Sequence, residues 1–237
     1  MRKYLISYLL HGHGEAEMTY RTITIDGPAG SGKSTVAKEI ARRLKYTFLD
    51  TGAIYRAAAI IVEKAGCDIL NDKECASVLA NADIRIIEGK TFANGRDVTD
   101  EIRSHHISEF ASAIAAHPSV RDALLDIQRS FKGSTSLVAE GRDTGTAVFP
   151  DADIKFYLDA TPEERARRRH AESVIKGNNI LMEQVLLDLE RRDKRDSTRT
   201  ASPLIIPENS FVVDTTHLNF AEVVDKILLI IDKRLTD

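Results

Sequence analysis

Short apolar runs alternate with longer amphipathic segments along most of the chain. Five of these runs are rich in β-branched or aromatic residues and end near a polar residue or a glycine, which is typical of buried parallel strands. They predict strands at 22–26, 47–50, 136–140, 154–159 and 211–214. The segments between them predict helices at 33–44, 53–64, 101–131, 162–175, 181–195 and 220–234. The alternation favours a three-layer α/β fold with a five-stranded, mainly parallel sheet.

Residues 67–100 interrupt this alternation. Short runs at 83–88, 91–92 and 96–98 surround two turn signals, Glu88-Gly89-Lys90 and Asn94-Gly95. This pattern predicts a small antiparallel sheet within an inserted lobe at about 67–131. The predicted organisation is one domain at 18–237, whose core comprises 21–66 and 132–237.

The N-terminal segment 1–17 is predicted to be a poorly ordered extension or a mis-called start, since Met18 offers a second start just before the first strand. Its apolar run at 4–10 is short for a signal peptide and lacks a cleavage site with small residues. The alternative, that this segment packs on the body as a short helix or strand, stays open.

Composition narrows the possible classes of protein. The chain has 237 residues, 43% of them hydrophobic, with a formal net charge of -3 and no tryptophan. These values argue against a nucleic-acid binder with a large basic surface, and no apolar run is long enough to cross a membrane. Cys67 and Cys75 lack a C-x-x-C spacing, which suits two ordinary thiols in a reducing compartment. We therefore predict a cytoplasmic protein, and a monomer.

A glycine-rich loop follows the first predicted strand and opens an amphipathic helix. Its sequence GPAGSGKS fits G-x-x-x-x-G-K-[ST], the P-loop motif that cradles nucleotide phosphates with backbone N–H groups at a helix N-terminus. The lysine can reach the β- and γ-phosphates, and the serine hydroxyl can ligate Mg²⁺. The predicted ATP-binding residues are Gly27, Pro28, Ala29, Gly30, Ser31, Gly32, Lys33, Ser34 and Thr35, with Ser34 as the magnesium ligand.

A P-loop does not by itself distinguish a kinase from a switch GTPase or a motor ATPase. The D-x-x-G and N-K-x-D sequences of a GTPase are absent at sensible positions. A motor ATPase stays open on one feature, because the strand at 136–140 ends in the acidic Glu140.

Several longer strings are more specific. They are ITIDGPAGSGKST at 23–35, LDTGAIYRA at 49–57, VRDALLDIQR at 120–129, EGRDTGTAVFPDAD at 140–153 and RRDKRDSTRTASPL at 191–204. From about Thr22 to the C-terminus the chain resembles the bacterial cytidylate kinase family. The resemblance implies a P-loop NTPase-type fold, ATP with Mg²⁺ as phosphoryl donor, and CMP or dCMP as acceptor. Two positions differ mildly, since Glu140 stands where Asp is more frequent and Thr51 where Ser is frequent.

The resemblance also implies an acceptor site. Ser112, Arg121 and Asp143 would surround the base, Arg56 and Arg142 would hold the acceptor phosphate, and Thr51 would lie beside the nucleotide. Arg192, Asp196 and Arg199 would reach the ribose and phosphate, and their i, i+4, i+7 spacing would place them on one face of a continuing helix. The implied catalytic residues are Lys33, Arg56, Arg142 and Arg192. Ordinary surface ion pairs stay open as alternatives for these charged residues.

A lid is predicted at about 165–195, where two basic runs flank a segment with glycine and asparagine. Such a lid would exclude water from the phosphates. Arg165, Arg168 and Arg169 are candidates to contact the phosphates, and helical spacing leaves open which of them point inward. The predicted function is therefore ATP-dependent phosphorylation of CMP and dCMP. A related kinase that prefers UMP or another acceptor and a P-loop switch without transferase activity are the alternatives.

Overall fold

The computed structural model describes residues 20–133, 135–175, 177 and 180–236. The predicted extension at 1–17 therefore lies outside the described residues, as do three residues at the tip of the predicted lid. Within the described part of the chain, no helix has the length and apolar character needed to cross a membrane.

The described residues form two sheets. The strands are β1 (Thr22–Asp26), β2 (Thr47–Asp50), β3 (Ile84–Ile87), β4 (Lys90–Ala93), β5 (Arg96–Asp97), β6 (Leu137–Gly141), β7 (Ile154–Asp159) and β8 (Phe211–Asp214). The larger sheet has the order β2-β6-β1-β7-β8 with parallel pairing throughout, which confirms the predicted five-stranded parallel sheet. The antiparallel β3-β4-β5 sheet confirms the small sheet predicted within the insertion.

The described residues also form eight α-helices. They are α1 (Lys33–Leu44), α2 (Thr51–Ala65), α3 (Asp72–Leu79), α4 (His105–Ile114), α5 (Pro118–Arg129), α6 (Pro162–Ile175), α7 (Met182–Thr198) and α8 (Phe220–Thr236). One apolar cluster packs α1 and α8 against β1, β7 and β8. A second cluster packs α2 and the insertion against β2 and β6. The chain therefore forms the predicted three-layer arrangement.

The prediction of one helical stretch over 101–131 is wrong. The structure instead has a short 3₁₀ helix at Glu101–Arg103, followed by α4 and α5. Pro118 is the first residue of α5, and His117 before it is extended, with φ −81° and ψ 122°. A proline disfavours helical conformation in the residue before it and suits the first helical position, so it separates the two helices. Helix α3 was not predicted at all.

The register of the parallel strands determines where a ligand can bind. Asp26 at the end of β1 pairs with Gly141 of β6, and Asp50 at the end of β2 pairs with Glu140. The carboxyl ends of the three strands therefore meet at one edge of the sheet, which is where open α/β sheets bind ligands.

Candidate active site

The glycine-rich loop joins β1 to α1 in a conformation that only glycine tolerates well. Gly27 has φ +151°, and a Cβ there would lie 2.1 Å from the carbonyl oxygen of Leu158. Gly32 has φ +85° and precedes α1, whose first turn receives no side-chain cap. The N–H groups of that turn are therefore available to an anion, as the motif predicts.

Lys33 is buried beside the loop. Its Nζ donates to the carbonyl oxygen of Pro28 at 3.0 Å, and no carboxylate within the described residues forms an ion pair with it. Burial is the main cause that lowers the pKa of Lys33 to about 7, and the positive charge of Arg142 is the second cause. A bound polyphosphate would supply an anionic partner for the Lys33 ammonium.

Glu140 lies at the bottom of the same cleft. The Ser34 Oγ donates to its Oε1 at 2.7 Å. Burial and the nearby charge of Asp50 raise the pKa of Glu140 to about 7. The described residues contain no group of three or more His, Cys, Asp or Glu side chains that could hold a metal. A hydroxyl beside one carboxylate fits Mg²⁺ carried in on nucleotide phosphates, because Mg²⁺ takes few protein ligands and keeps several waters.

Three arginines face the loop across the cleft. Arg56 binds Asp50 at 2.7 Å, and the Arg142 Nε donates to Asp196 at 2.9 Å. Arg192 has no ion pair among the described residues, and its buried Nε has no hydrogen-bond partner there. Burial and the neighbouring Arg142 lower the pKa of Arg192 to about 10. A guanidinium without an ion pair, whose Nε is buried and unsatisfied, indicates a place for an anion.

A buried ion pair closes the far end of the cleft. The Arg121 Nη2 donates to Asp143 Oδ2, and the guanidinium of Arg121 lies 5.4 Å from the ring centroid of Tyr55. The Arg121 Nε and the Ser112 Oγ are buried without a hydrogen-bond partner among the described residues. Unsatisfied buried polar atoms indicate that a polar ligand completes this end.

Arg199 reaches the same carboxylate, but not from a helix. Helix α7 ends at Thr198, and Arg199 is extended with φ −64° and ψ 143°, so the predicted continuous helical face is wrong at this residue. Its Nη2 nevertheless donates to Asp143 Oδ1 at 3.2 Å. Carbonyl oxygens at this end of the helix have partners outside the helical ladder: Lys194 accepts from the Thr198 hydroxyl at 2.7 Å, and Asp196 accepts from the N–H of Leu204 at 2.8 Å.

Thr51 connects two strand ends. It opens α2 directly after β2, and its hydroxyl donates to the carbonyl oxygen of Glu140 at 2.8 Å. The Asp50 carboxylate caps the same helix by accepting from the N–H of Ala53 at 2.9 Å. These bonds hold the beginning of α2, and with it Arg56, at the edge of the sheet.

The three candidate lid arginines occupy different places. Arg168 and Arg169 line the cleft, and Arg168 is held by Glu164 and by Thr215 Oγ1 at 2.8 and 2.9 Å. Arg165 is buried beneath the loop, where its Nη1 donates to the carbonyl oxygen of Ala29 at 3.0 Å and to Asp193. Arg165 therefore supports the loop from below and does not face the cleft.

One cavity of about 380 Å³ joins all these groups. It runs from the glycine-rich loop to the Arg121–Asp143 pair, and its lining carries nine lysines and arginines against five acidic residues. The predicted residues that line it are Ala29, Gly30, Gly32, Lys33, Ser34, Thr35, Thr51, Arg56, Ser112, Arg121, Arg142, Asp143, Arg168, Arg169, Arg192, Asp196 and Arg199. Gly27, Pro28, Ser31 and Arg165 do not line it. The excess of positive charge suits two phosphorylated ligands.

Some residues of the site were not predicted from the sequence. Asp50 pairs with Arg56, and its position at the carboxyl end of a predicted strand was the signal that could have found it. Asp193 accepts from the N–H of Ala29 at 3.2 Å as well as from Arg165. No sequence signal distinguishes Asp193 from the other charged residues of α7.

Known proteins are similar to this chain over most of its length. The family model described as cytidylate kinase matches residues 23–233. A cytidylate kinase of Carboxydothermus hydrogenoformans is 44% identical over 216 residues, covering 90% of this chain and 97% of that protein. A cytidylate kinase of Caldanaerobacter subterraneus is 43% identical over 205 residues, covering 86% and 92%.

A solved structure shares the fold alone. An uncharacterized protein from Eubacterium ventriosum superposes with a TM-score of 0.51 at 14% sequence identity, covering 90% of this chain and 98% of that one. The family match extends over most of the sequence and includes both the glycine-rich loop and the strings around the acceptor end of the cavity. The chain therefore belongs to the cytidylate kinase family and is a phosphotransferase.

Proposed function

We propose that this protein transfers the γ-phosphoryl group of ATP, bound with Mg²⁺, directly to the phosphate of CMP or dCMP. The observation that carries the proposal is the single cavity that contains Lys33 and Arg192, neither of which has an ion pair among the described residues. Buried polar atoms without a hydrogen-bond partner lie in the same cavity, near the Arg121–Asp143 pair. A nucleotide bound at each end would satisfy these groups.

The donor would bind at the loop. The N–H groups at the start of α1 and the Lys33 ammonium would hold the β- and γ-phosphates, and Ser34 would ligate the magnesium ion. Bound Mg²⁺ would neutralise charge on the transferring phosphoryl group. When phosphates arrive, Lys33 can exchange its bond to the Pro28 carbonyl for a charge-assisted bond.

The acceptor phosphate would bind among Arg56, Arg142 and Arg192. Arg56 and Arg142 are already held by Asp50 and Asp196, so their guanidinium groups need little further ordering. Among the described residues Arg192 forms no ion pair with a carboxylate, and the acceptor phosphate would supply an anionic partner. Together the three side chains would align the acceptor oxygen with the donor phosphorus.

The cytosine base would bind at the buried pair. Cytosine presents an N4 amino donor beside two acceptors, N3 and O2, which Asp143 and Arg121 complement. Uracil has an acceptor in place of the N4 amino donor and a donor at N3. In the same pocket, donors would therefore face donors and acceptors would face acceptors. The unsatisfied Ser112 hydroxyl can bind the same edge.

No general base is needed for this reaction. The second ionisation of a phosphate monoester has a pKa of about 6, so the acceptor oxygen is already nucleophilic at neutral pH. Catalysis then consists of alignment and stabilisation of charge on the transferring group. Arg168 and Arg169 supply further cations on the lid side.

A reducing, cytoplasmic location is part of the proposal. Cys67 and Cys75 are both free thiols in the structure, which suits a compartment that keeps thiols reduced. The monomeric state stays a prediction.

The proposal is tested by ADP release with ATP and each of CMP, dCMP, UMP, AMP and GMP. We expect CMP and dCMP to be preferred by about tenfold or more over UMP. Absence of stimulation by CMP would reject the proposal, and a preference for UMP would identify a different acceptor. Equal use of CMP and UMP would contradict the role of Arg121 and Asp143.

Variants separate the two ends of the cavity. Arg121→Ala and Asp143→Ala should each reduce kcat/KM for CMP by about tenfold or more while KM for ATP changes by less than about twofold. Lys33→Ala should instead impair the use of ATP. Asp122→Ala is the matched control, because Asp122 is exposed on the same helix as Arg121 and does not line the cavity. Equal damage to the use of ATP in the Asp143 variant would argue against a role in base recognition.

A further inference from the structure

Asp26 is the last residue of β1 and directly precedes the glycine-rich loop. It is completely buried and does not line the cavity. Its position in the sequence suggests a role on the ATP side. However, in the described part of the chain no side-chain hydrogen bond joins it to residues 27–35.

All three side-chain hydrogen bonds of Asp26 go to the segment after β6. Its Oδ1 accepts from the Thr144 N–H at 2.9 Å and from the Thr144 hydroxyl, and its Oδ2 accepts from the Gly145 N–H at 2.7 Å. These donors belong to the first turn of a π-helix at Thr144–Val148. Asp26 therefore caps that helix from a neighbouring strand, since the first N–H groups of a helix have no partner within it.

The far end of the π-helix is also held. Arg129 at the end of α5 donates to the carbonyl oxygens of Ala147 and Val148, both at 3.1 Å. The helix lies tightly against β1, because a Cβ at Gly145 would come within 2.8 Å of Thr24 Oγ1 and 3.2 Å of Asp26 Oδ2. The segment has little room to shift unless one of these contacts is lost.

The residues just before the π-helix are the ones proposed to contact CMP. Asp143 adjoins Thr144, the residue that gives Asp26 two of its three hydrogen bonds, and Arg142 precedes Asp143. Asp143 has backbone angles of φ −147° and ψ 23°, outside the regular helix and strand regions. The carbonyl oxygen of Asp143 accepts from the N–H groups of Ala147 and Val148 at 2.9 and 3.2 Å, so the π-helix holds the backbone of Asp143.

We propose that Asp26 is a positioning residue for the acceptor site, because it fixes the π-helix that places Asp143 against the cytosine base. The inference rests on the proposed function, since it names which of the two substrates Asp26 serves. Asp26 has no direct contact with either nucleotide in this view. It acts through Thr144 and Gly145 on the neighbouring Asp143.

Asp26→Asn tests this inference with a side chain of nearly the same size. Asparagine has one acceptor oxygen, so its NH₂ group must face either the Thr144 donors or the Gly145 N–H. The NH₂ donor then faces a backbone N–H donor, and at least one hydrogen bond is lost. We expect KM for CMP to rise by about tenfold and the preference for CMP over UMP to fall, while KM for ATP changes by less than about twofold.

Asp153→Asn is the matched control. Asp153 accepts from the N–H of Thr22 at 2.7 Å and from Arg21 at 2.8 Å, at the opposite end of β1 from the cavity. This variant should leave the KM for both nucleotides unchanged. Two results for Asp26→Asn would overturn the inference. One is a rise in KM for ATP equal to the rise for CMP. The other is a loss of stability with KM unchanged for both nucleotides.

Amide hydrogen exchange tests the inference without any catalysis. In Asp26→Asn the peptide covering 142–148 should exchange about tenfold faster than in the unaltered protein, while the peptide covering 27–35 keeps its rate. Unchanged exchange at 142–148 would overturn the inference. If Asp26→Asn does not fold, Thr144→Val is the second variant, because it removes the hydrogen bond from the Thr144 hydroxyl to Asp26. We expect a smaller rise in KM for CMP and a smaller increase in the exchange rate at 142–148.

These readouts distinguish failure of the inference from failure of the proposed function. An unaltered protein that shows no CMP-dependent ADP release would reject the function. The exchange measurement would still report whether Asp26 holds the segment that contains Asp143.

Discussion

Lys33 is buried in the cavity at an electrostatic cost. Its Nζ is buried and bonded to a neutral carbonyl, and the nearby Arg142 adds positive charge, so its pKa falls to about 7. Because Lys33 is a base with a lowered pKa, it loses its charge as the pH rises above about 7 in the free protein. Bound polyphosphate favours the charged form and raises the pKa again.

Binding of ATP with Mg²⁺ at about pH 8 should therefore take up a proton, approaching one per site. Glu140, with a pKa of about 7, is already mostly ionised at that pH and contributes little. The measurement is calorimetric titration in two buffers of different ionisation enthalpy. Lys33→Arg is the control, because arginine stays charged at pH 8 and should abolish the uptake. An equal uptake in that variant would assign the proton to another group.

Sequence reasoning at the residue scale succeeded where the chemistry is local. The glycine-rich loop carries its strand, its turn and its helix in one continuous segment, so Lys33 and Ser34 could be predicted to share a site. Arg165 and Asp26 could not be placed in this way. Their partners, Asp193 and Thr144, lie far away in the chain, and only the folded arrangement shows which groups they face.

Helices α6 and α7 rest on the glycine-rich loop as well as on each other. Ala29 of the loop is buried in an apolar cluster with Ala166, Val185 and Leu189. Asp193 of α7 joins the same loop through the N–H of Ala29 and through Arg165. The helix that carries Arg192 is therefore coupled physically to the phosphate-binding loop.

Asp193→Ala should lower the free energy of unfolding by about 3 kcal/mol, because it leaves Arg165 as a buried cation without its carboxylate. The side chain of Arg165 is 7% exposed in this ion pair, so solvent replaces the lost partner poorly. Urea denaturation would measure the change. Asp225→Ala is the control, since Asp225 pairs with Arg43 at 3.1 Å on the surface and should change stability by less than about 0.5 kcal/mol. Equal effects would mean that solvent reaches the Arg165 pair.

Helices and strands could be predicted from the sequence where polar residues, glycines or prolines mark their ends. Strands such as Thr22–Asp26 and Ile154–Asp159 are bounded by polar residues or glycines, and their predicted and observed limits agree. Helix α3 escaped prediction because it is only eight residues long and buries just Cys75 and Leu79, too few positions to show helical periodicity. Pro118 is a sequence signal for the break between α4 and α5, and the prediction of one stretch over 101–131 did not use it.

The insertion shares its core with the larger sheet. Leu49 and Leu137 of the sheet belong to the same apolar cluster as Val120 and Leu124 of α5. The sequence predicts limits for the insertion, but it could not show that apolar residues of the lobe pack in one cluster with the sheet. The single domain stays a prediction, and this shared cluster is the reason to expect it.

Two apolar clusters pack on opposite faces of the same sheet, and this shared sheet predicts a single unfolding transition for the described part of the chain. Leu124→Ala in the insertion and Ile231→Ala in α8 each remove a fully buried side chain, and each should lower the free energy of unfolding by about 2–5 kcal/mol. In both variants, far-UV circular dichroism and tyrosine fluorescence should follow one coincident transition in urea. Leu229→Ala is the control, because Leu229 is 57% exposed and should change stability by less than about 0.5 kcal/mol. An early separate transition in Leu124→Ala would mean that the lobe unfolds alone, and that base recognition can be lost while the phosphate-binding core stays folded.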